Sequence, residues 1–210
     1  MITEKISIYD IIGYFIPGVI LTYGFVLFYP TVKLITIDPQ LSVGSLGLYT
    51  IVSYTAGQII QSVGNFLTTL YWLKRGRPTD WIFEKDNNLL SNHQKNRLIY
   101  KLITKKLVSK NTDFIKIKQN EWSNIVRQII SIISNNENSP KRLEIFNSNY
   151  GLWKGLTTSL LFLCIMSFIR YGVSNLLISI SLIIITILSV VRMRRFGIYY
   201  AKELFYIFIS

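Results

Sequence analysis

Long stretches without any charged side chain constrain this chain more than any other feature. No Asp, Glu, Lys, Arg or His lies between Asp10 and Lys33, or between Asp38 and Lys74. A helix rises ~1.5 Å per residue, so roughly 20 apolar residues cross the ~30 Å hydrocarbon core of a bilayer. Uncharged segments of this length are therefore typical of membrane-spanning helices.

We predict an all-α, polytopic membrane protein with four transmembrane helices and a small helical cytoplasmic insert. The fourth span is the most lipid-like, whereas the second has more polar residues than lipid favours and is expected to face protein or water on one side. Lys154 and Arg170, at the two ends of the third span, are expected to snorkel to the interfaces. The four predicted spans are residues 11–29, 46–73, 152–169 and 173–191.

The basic residues are segregated from the apolar ones. The chain has 23 Lys and Arg against 11 Asp and Glu, a net charge of +12, and yet 50% hydrophobic residues and a positive mean hydropathy of +0.35. Sixteen of the 23 lie between Lys74 and Lys154, and four more follow Val191. By the positive-inside rule, both termini and the middle region are cytoplasmic. Residues 1–10 lack a basic leader and no small-residue cleavage site follows, so we expect the first span to be retained.

These patterns divide the chain into four parts. The middle part is expected to contain two amphipathic helices, 88–108 and 120–134, joined by FIKIK, which forms either a short edge strand or a linker. The C-terminal part has aromatic residues behind three arginines, a combination that suits a helix lying at the inner leaflet. The predicted parts are an N-terminal transmembrane hairpin (1–73), a basic cytoplasmic helical region (74–151), a C-terminal transmembrane hairpin (152–191) and a basic aromatic tail (192–210).

Uncharged polar residues recur along the second span. Their alternating spacings of four and three place them on one face of a helix, which we call the predicted polar face. Two interpretations stay open: hydrogen bonds that hold the helices together, or a water-lined or ion-conducting path formed by several copies. With Lys154 assigned to the interface, the spans lack the ionisable residues of a proton relay, a voltage sensor or an ion-coupled transporter. The predicted polar face consists of Tyr54, Gln58, Gln61, Asn65 and Thr68.

The first span begins with YDIIGYFIPG. Asp10 is expected to cap the helix. Pro17 removes one intrahelical hydrogen bond next to a glycine, which predicts a kink formed by Gly13, Pro17 and Gly18. Such a kink is either a packing device or a gate.

The sequence contains no catalytic signature, and we expect no enzyme activity, cofactor or metal. His93 is flanked by polar residues and has no partnered nucleophile or carboxylate pair. One His and one Cys, Cys164, exclude a Cys/His zinc site and an intramolecular disulfide. The excess charge of the middle region invites a nucleic-acid interpretation, but its aromatic residues follow no recognised motif and orientation alone requires basic residues there. Candidate contacts to a partner or to anionic lipid are Lys74, Arg75, Arg77, Arg192, Arg194 and Arg195.

The layout of this chain resembles that of small membrane proteins of bacterial antiphage defence loci. The shared plan is two spans, a basic insert, two further spans and an aromatic basic tail, and YDIIGYFIPG is its motif-like element. The nearest in size and layout are the membrane subunit of the Kiwa system and the accessory membrane protein of type VI-B CRISPR loci. The resemblance implies a homo-oligomer in the bacterial inner membrane that either permeabilises it or senses damage and regulates a soluble partner.

Three hypotheses from different classes follow. The first is an oligomeric channel-like or membrane-sensing effector, based on the predicted polar face. The second is a membrane-anchored regulatory subunit whose residues 74–151 bind a soluble nuclease or a nucleic-acid-bound CRISPR effector. The third is a membrane enzyme acting on lipid or nucleotide, which lacks a recognisable catalytic pair.

Overall fold

The described part of the chain is helical, as the sequence predicts. The computed structural model describes residues 11–30, 43–83, 89–110, 112–114, 117–135, 141–172 and 174–210. Within these residues 85% are in helices and none is in a strand. Of FIKIK, Phe114, Ile117 and Lys118 are not in a strand, and residues 115 and 116 lie outside the described ranges.

Six α-helices and two short helical turns make up the described structure. A π-helical turn, Ile11–Phe15, leads directly into α1. A 3₁₀ turn, Pro78–Phe83, lies between α2 and α3. The α-helices are α1 (Ile16–Phe28), α2 (Val43–Trp72), α3 (Asn92–Thr104), α4 (Gln119–Ser134), α5 (Lys141–Tyr171) and α6 (Leu176–Ile209).

Among the described residues, three helical segments are long and apolar enough to cross a membrane: Ile11–Phe28, α5 and α6. Large aliphatic side chains of α6 are exposed, among them Leu177 at 82% and Leu188 at 59%. Exposed aliphatic surface of this kind is stable in lipid and costly in water, so the chain is membrane-associated. The second helix, α2, is not among the three, and the four-span count stays a prediction.

The chain forms two compact units. The first unit comprises Met1–Tyr71 and Asn147–Arg195, and the second comprises Trp72–Phe146 and Phe196–Ser210. Helices α5 and α6 therefore each contribute to both units.

Small residues bring the helices of the first unit close together. A Cβ atom on Gly18 of α1 would collide with the Ser53 carbonyl oxygen of α2, and one on Gly57 of α2 would collide with the Tyr14 carbonyl oxygen. Backbones approach this closely only where a side chain is missing. The crossing of α1 and α2 is thus fixed by glycines on both helices.

The second unit has its own apolar core. Its helix α4 begins one residue before the predicted position and ends where predicted, and Trp122 and Ile129 point inward as expected. Helix α3 is shorter than predicted. Ser91 and Gln94 form a capping box at its start, and Lys106, with φ +55°, ends it in a Schellman turn in which the Leu107 N–H donates to the Leu102 carbonyl.

The tail is not a separate helix. Residues 192–209 continue α6, and the C-terminal end of that helix completes the core of the second unit. Its position at the inner leaflet stays a prediction. Leu204 and Phe205 are fully buried, and the Phe205 ring stacks on Trp122 with 6.1 Å between centroids. The apolar residues recur at helical spacing, so one face is buried against α4 while the arginines stay exposed.

Candidate functional site

The structure does not keep the predicted polar face together. Gln61 and Thr68 are buried, at 3% and 8% exposure, and the Thr68 hydroxyl donates to the Gly64 carbonyl of its own helix at 2.5 Å. Tyr54, Gln58 and Asn65 are exposed. The predicted face lies at the edge between the buried and the exposed sides of α2, so its members have different environments.

Gln61 joins three helical segments of the first unit. Its Nε2 donates to the Gly13 carbonyl in the π-helical turn and, at 2.8 Å, to the Gly151 carbonyl of α5. Pro17, four residues after Gly13, has no N–H, so the Gly13 carbonyl lacks its ordinary helical donor and the Gln61 amide replaces it. The Gln61 Oε1 is buried and has no hydrogen-bond partner among the described residues. At this position, interhelical hydrogen bonding is the interpretation that the geometry favours.

The segment around Pro17, where the π-helical turn leads into α1, is enclosed by neighbouring helices. Gly13, Pro17 and Gly18 are all buried, and the π-helical turn ends two residues before Pro17. The Ser159 hydroxyl of α5 donates to the Pro17 carbonyl at 2.8 Å. Contacts on this side and at Gly18 favour a packing role for this segment, and the kink itself stays a prediction. Asp10, expected to cap this helix, lies outside the described residues.

Lys154 does not snorkel as expected. It is 8% exposed, and its Nζ donates to the Asn65 Oδ1 of α2 at 2.6 Å and lies 5.9 Å from the Tyr150 ring centre. Within the described residues, no carboxylate oxygen lies within 4.0 Å of this ammonium group. A desolvated ammonium held only by neutral dipoles is costly, and a buried ionisable side chain in an apolar helix commonly marks a functional position. Sequence reasoning assigned Lys154 to the interface because it lies near the end of the third span.

A row of polar side chains is exposed along α2, and we call it the exposed polar stripe. The hydroxyls of Thr55, Ser62 and Thr69 donate to carbonyls one turn earlier on their own helix, at 2.9, 3.1 and 2.9 Å. Beside the row lie exposed apolar side chains, including Ile59 at 61% and Phe66 at 68%. The stripe consists of Thr55, Gln58, Ser62, Asn65 and Thr69, with spacings of three and four.

The predicted polar face shares only Gln58 and Asn65 with this stripe. Sequence reasoning missed Thr55, Ser62 and Thr69, although they follow the same alternation of three and four residues. The spacing alone could have identified these three residues as a polar row. The sequence does not indicate which side of α2 packs against the other helices.

The basic candidates are exposed in both units. In the second unit, the Arg75 guanidinium lies 4.7 Å from the Trp81 ring centre, and the Arg77 backbone N–H donates to Asp80 at 2.9 Å. In the first unit, Arg192 lies 6.0 Å from the Trp153 ring centre. Lys74, Arg194 and Arg195 are exposed as well. Their role as contacts to a partner or to lipid stays a prediction.

The described residues contain no group of three His, Cys, Asp or Glu side chains able to hold a metal ion. Cys164 is buried in α5 as a free thiol.

Comparison with known proteins finds no matching family model, no similar curated protein and no similar solved structure. The resemblance to antiphage membrane proteins therefore depends on the sequence layout alone.

Proposed function

We propose that this chain is a channel-like membrane protein whose copies assemble with the exposed polar stripe of α2 around a water-filled path. In this proposal α2 crosses the membrane as a fourth span, and its 30 residues extend ~45 Å, which is ample for the ~30 Å hydrocarbon core. Four spans then place both termini on one side, which the positive-inside rule makes the cytoplasm.

The exposed polar stripe is the observation that carries this proposal. The three hydroxyls of the stripe are satisfied within the helix and tolerate lipid, but the Gln58 side chain has no hydrogen bond to any described residue. An amide without a partner in hydrocarbon costs several kcal/mol, on the order of 2–7. The stripe is therefore stable in a membrane only if it meets water or the polar groups of another copy. The adjacent apolar side chains, such as Ile59, are suited to lipid.

The layout resemblance suggests the biological setting. Its implication is a component of a bacterial antiphage defence system that acts in the inner membrane, and we propose permeabilisation of that membrane as the action, without an enzymatic step.

A second candidate function is a regulatory subunit that binds a soluble nuclease. It is supported by the separate core of the second unit, which Trp72–Phe146 and Phe196–Ser210 build together.

Cysteine accessibility in membranes tests the channel-like proposal. In a Cys164→Ala background, Ser62→Cys places a thiol on the exposed polar stripe and Ile59→Cys places one on the neighbouring apolar surface. Only a thiolate in water reacts with a charged, membrane-impermeant thiol reagent. We expect rapid labelling of Ser62→Cys, slow labelling of Ile59→Cys, and a change in ion flux through vesicles only when the former is labelled.

Two results would contradict the proposal. Equal labelling at both positions would mean that α2 does not face lipid at Ile59, and absent labelling at both would mean that no water reaches the stripe.

For the second candidate, recovery of the protein from native membranes only with its own copies would argue against a soluble partner.

A further inference from the structure

Helix α3 of the second unit carries a basic row that the channel-like proposal does not use. The row has three basic side chains on α3 and one at the residue that caps its C-terminal end, and they recur every fourth residue along one face of the helix. All four line a single cavity of about 530 Å³, together with Ile209 and Ser210 at the end of α6. The basic row consists of His93, Arg97, Lys101 and Lys105.

The charges of this row are not neutralised by neighbouring side chains. No Asp or Glu side chain lines the cavity. In the described part of the chain, no carboxylate oxygen lies within 4.0 Å of a charged nitrogen of Arg97, Lys101 or Lys105. Like charges four residues apart on a helix repel each other, and a concave surface of one sign concentrates the electrostatic field. The side chains that line the cavity therefore have an excess of positive charge.

One of the cations is held in place by the end of α6. The Lys101 Nζ donates to the Ile209 carbonyl at 3.4 Å and lies 5.9 Å from the Phe208 ring centre. Phe208 itself is buried in the core of the second unit. Lys101 is thus positioned by packed structure, whereas Arg97 and Lys105 project from the exposed surface on either side of it.

A second row of side chains makes the cavity suited to more than a simple anion. Asn96, Tyr100 and Thr104 line it beside the basic row, and Tyr100 is 73% exposed, so its ring is open to stacking. The volume lies within the range of roughly 300–1,000 Å³ that is usual for small-molecule sites. Arginine forms paired hydrogen bonds to phosphate, and lysine contributes a point charge.

We propose that this cavity binds a phosphate-bearing ligand, with Arg97, Lys101 and Lys105 contacting the phosphate and Tyr100 contacting the rest of the molecule. The same chemistry has two sources, a soluble nucleotide and the headgroup of an anionic phospholipid. This proposal is independent of the channel-like function, because it concerns the second unit alone.

Binding measurements on the full chain in detergent test the proposal. The probes are ATP in EDTA and soluble short-chain phosphatidylglycerol, with short-chain phosphatidylcholine as the comparison that has no net charge. We expect Arg97→Gln and Lys105→Gln each to weaken binding about tenfold, because each removes a charge-assisted hydrogen bond. Lys95→Gln is the matched control, since Lys95 lies on α3 but does not line the cavity.

The outcomes separate the two ligand sources. ATP binding that is sensitive to Arg97→Gln indicates a soluble nucleotide, and phosphatidylglycerol binding with the same sensitivity, without ATP binding, indicates a lipid headgroup. Binding of neither probe, or equal weakening by Lys95→Gln, would overturn the proposal. Unchanged circular dichroism and thermal unfolding of the variants exclude loss of fold as the cause.

Discussion

Gln58 and Gln61 show how much the environment of one residue type can differ within a single helical turn. Both belong to the predicted polar face, and the spacing treats them alike. In the structure Gln58 is exposed, whereas Gln61 is 3% exposed and donates to two backbone carbonyls. Spacing defines a face but not the direction of that face, which depends on where Gly13 and Gly151 lie. The sequence could therefore predict the polar side chains of α2 but not their separate roles.

Replacement of Gln61 is expected to destabilise the first unit. Gln61→Leu leaves the Gly13 and Gly151 carbonyls without their amide donor, at a cost of about 1–3 kcal/mol. For a chain of this size each kcal/mol lowers the melting temperature by roughly 2–4 °C. Thermal unfolding in detergent measures the change.

The matched control is Gln58→Leu, the same substitution on the exposed side of α2. It should change stability by no more than about 0.5 kcal/mol. Equal melting temperatures for the two variants would contradict the assignment of Gln61 as the residue that joins the helices.

For the secondary-structure elements, the apolar spacing of the sequence predicted the presence of helices more accurately than it predicted their ends. The apolar spacing of residues 120–134 matches α4 within one residue, because a strongly amphipathic face leaves little choice of register. The end of α3 at Lys106 depends on a left-handed backbone conformation at a lysine, for which the sequence gives no signal. The continuation of α6 into the core likewise depends on a tertiary partner, Trp122, that is distant in sequence.

A glycine-to-alanine substitution, which adds one methyl group, tests whether the close approach of α1 and α2 stabilises the first unit. Gly57→Ala adds a Cβ that collides with the Tyr14 carbonyl oxygen, so the helices must separate and the first unit should be destabilised. Gly47→Ala on the same helix meets no atom within 4 Å. Alanine is more favourable than glycine in a helix by about 1 kcal/mol, so Gly47→Ala should be neutral or stabilising.

Limited proteolysis in detergent and thermal unfolding compare these two variants. We expect faster cleavage and a lower melting temperature for Gly57→Ala only. If both alanine variants behaved alike, the close approach of the two backbones would not be important for stability.

For the whole molecule, the sequence predicted the helical class and membrane association, and the described residues contain three helical segments long and apolar enough to span a membrane. The fourth is difficult to establish from composition, because averaging along α2 mixes the buried, the polar exposed and the apolar exposed sides. Gln61, Ser62 and Ile59 lie within three residues of one another and belong to these three different sides. A helix that borders protein, water and lipid has an intermediate average hydropathy. An intermediate average of this kind is compatible with the proposed water-filled path.

The position of Lys154 makes the proposed path testable as a property of the assembly. Its ammonium group is bound to Asn65, a member of the exposed polar stripe, at 2.6 Å. Each copy in an oligomer then places one positive charge beside the water, and a ring of positive charges favours anions. We expect a reversal potential in planar bilayers under a KCl gradient that indicates chloride preference, and Lys154→Met should shift it toward cation preference. Lys74→Met removes an exposed charge from the second unit and serves as the control. An unchanged reversal potential in Lys154→Met would mean that the conducted ions do not pass Asn65, and the stripe would then be a contact between copies rather than the lining of a path.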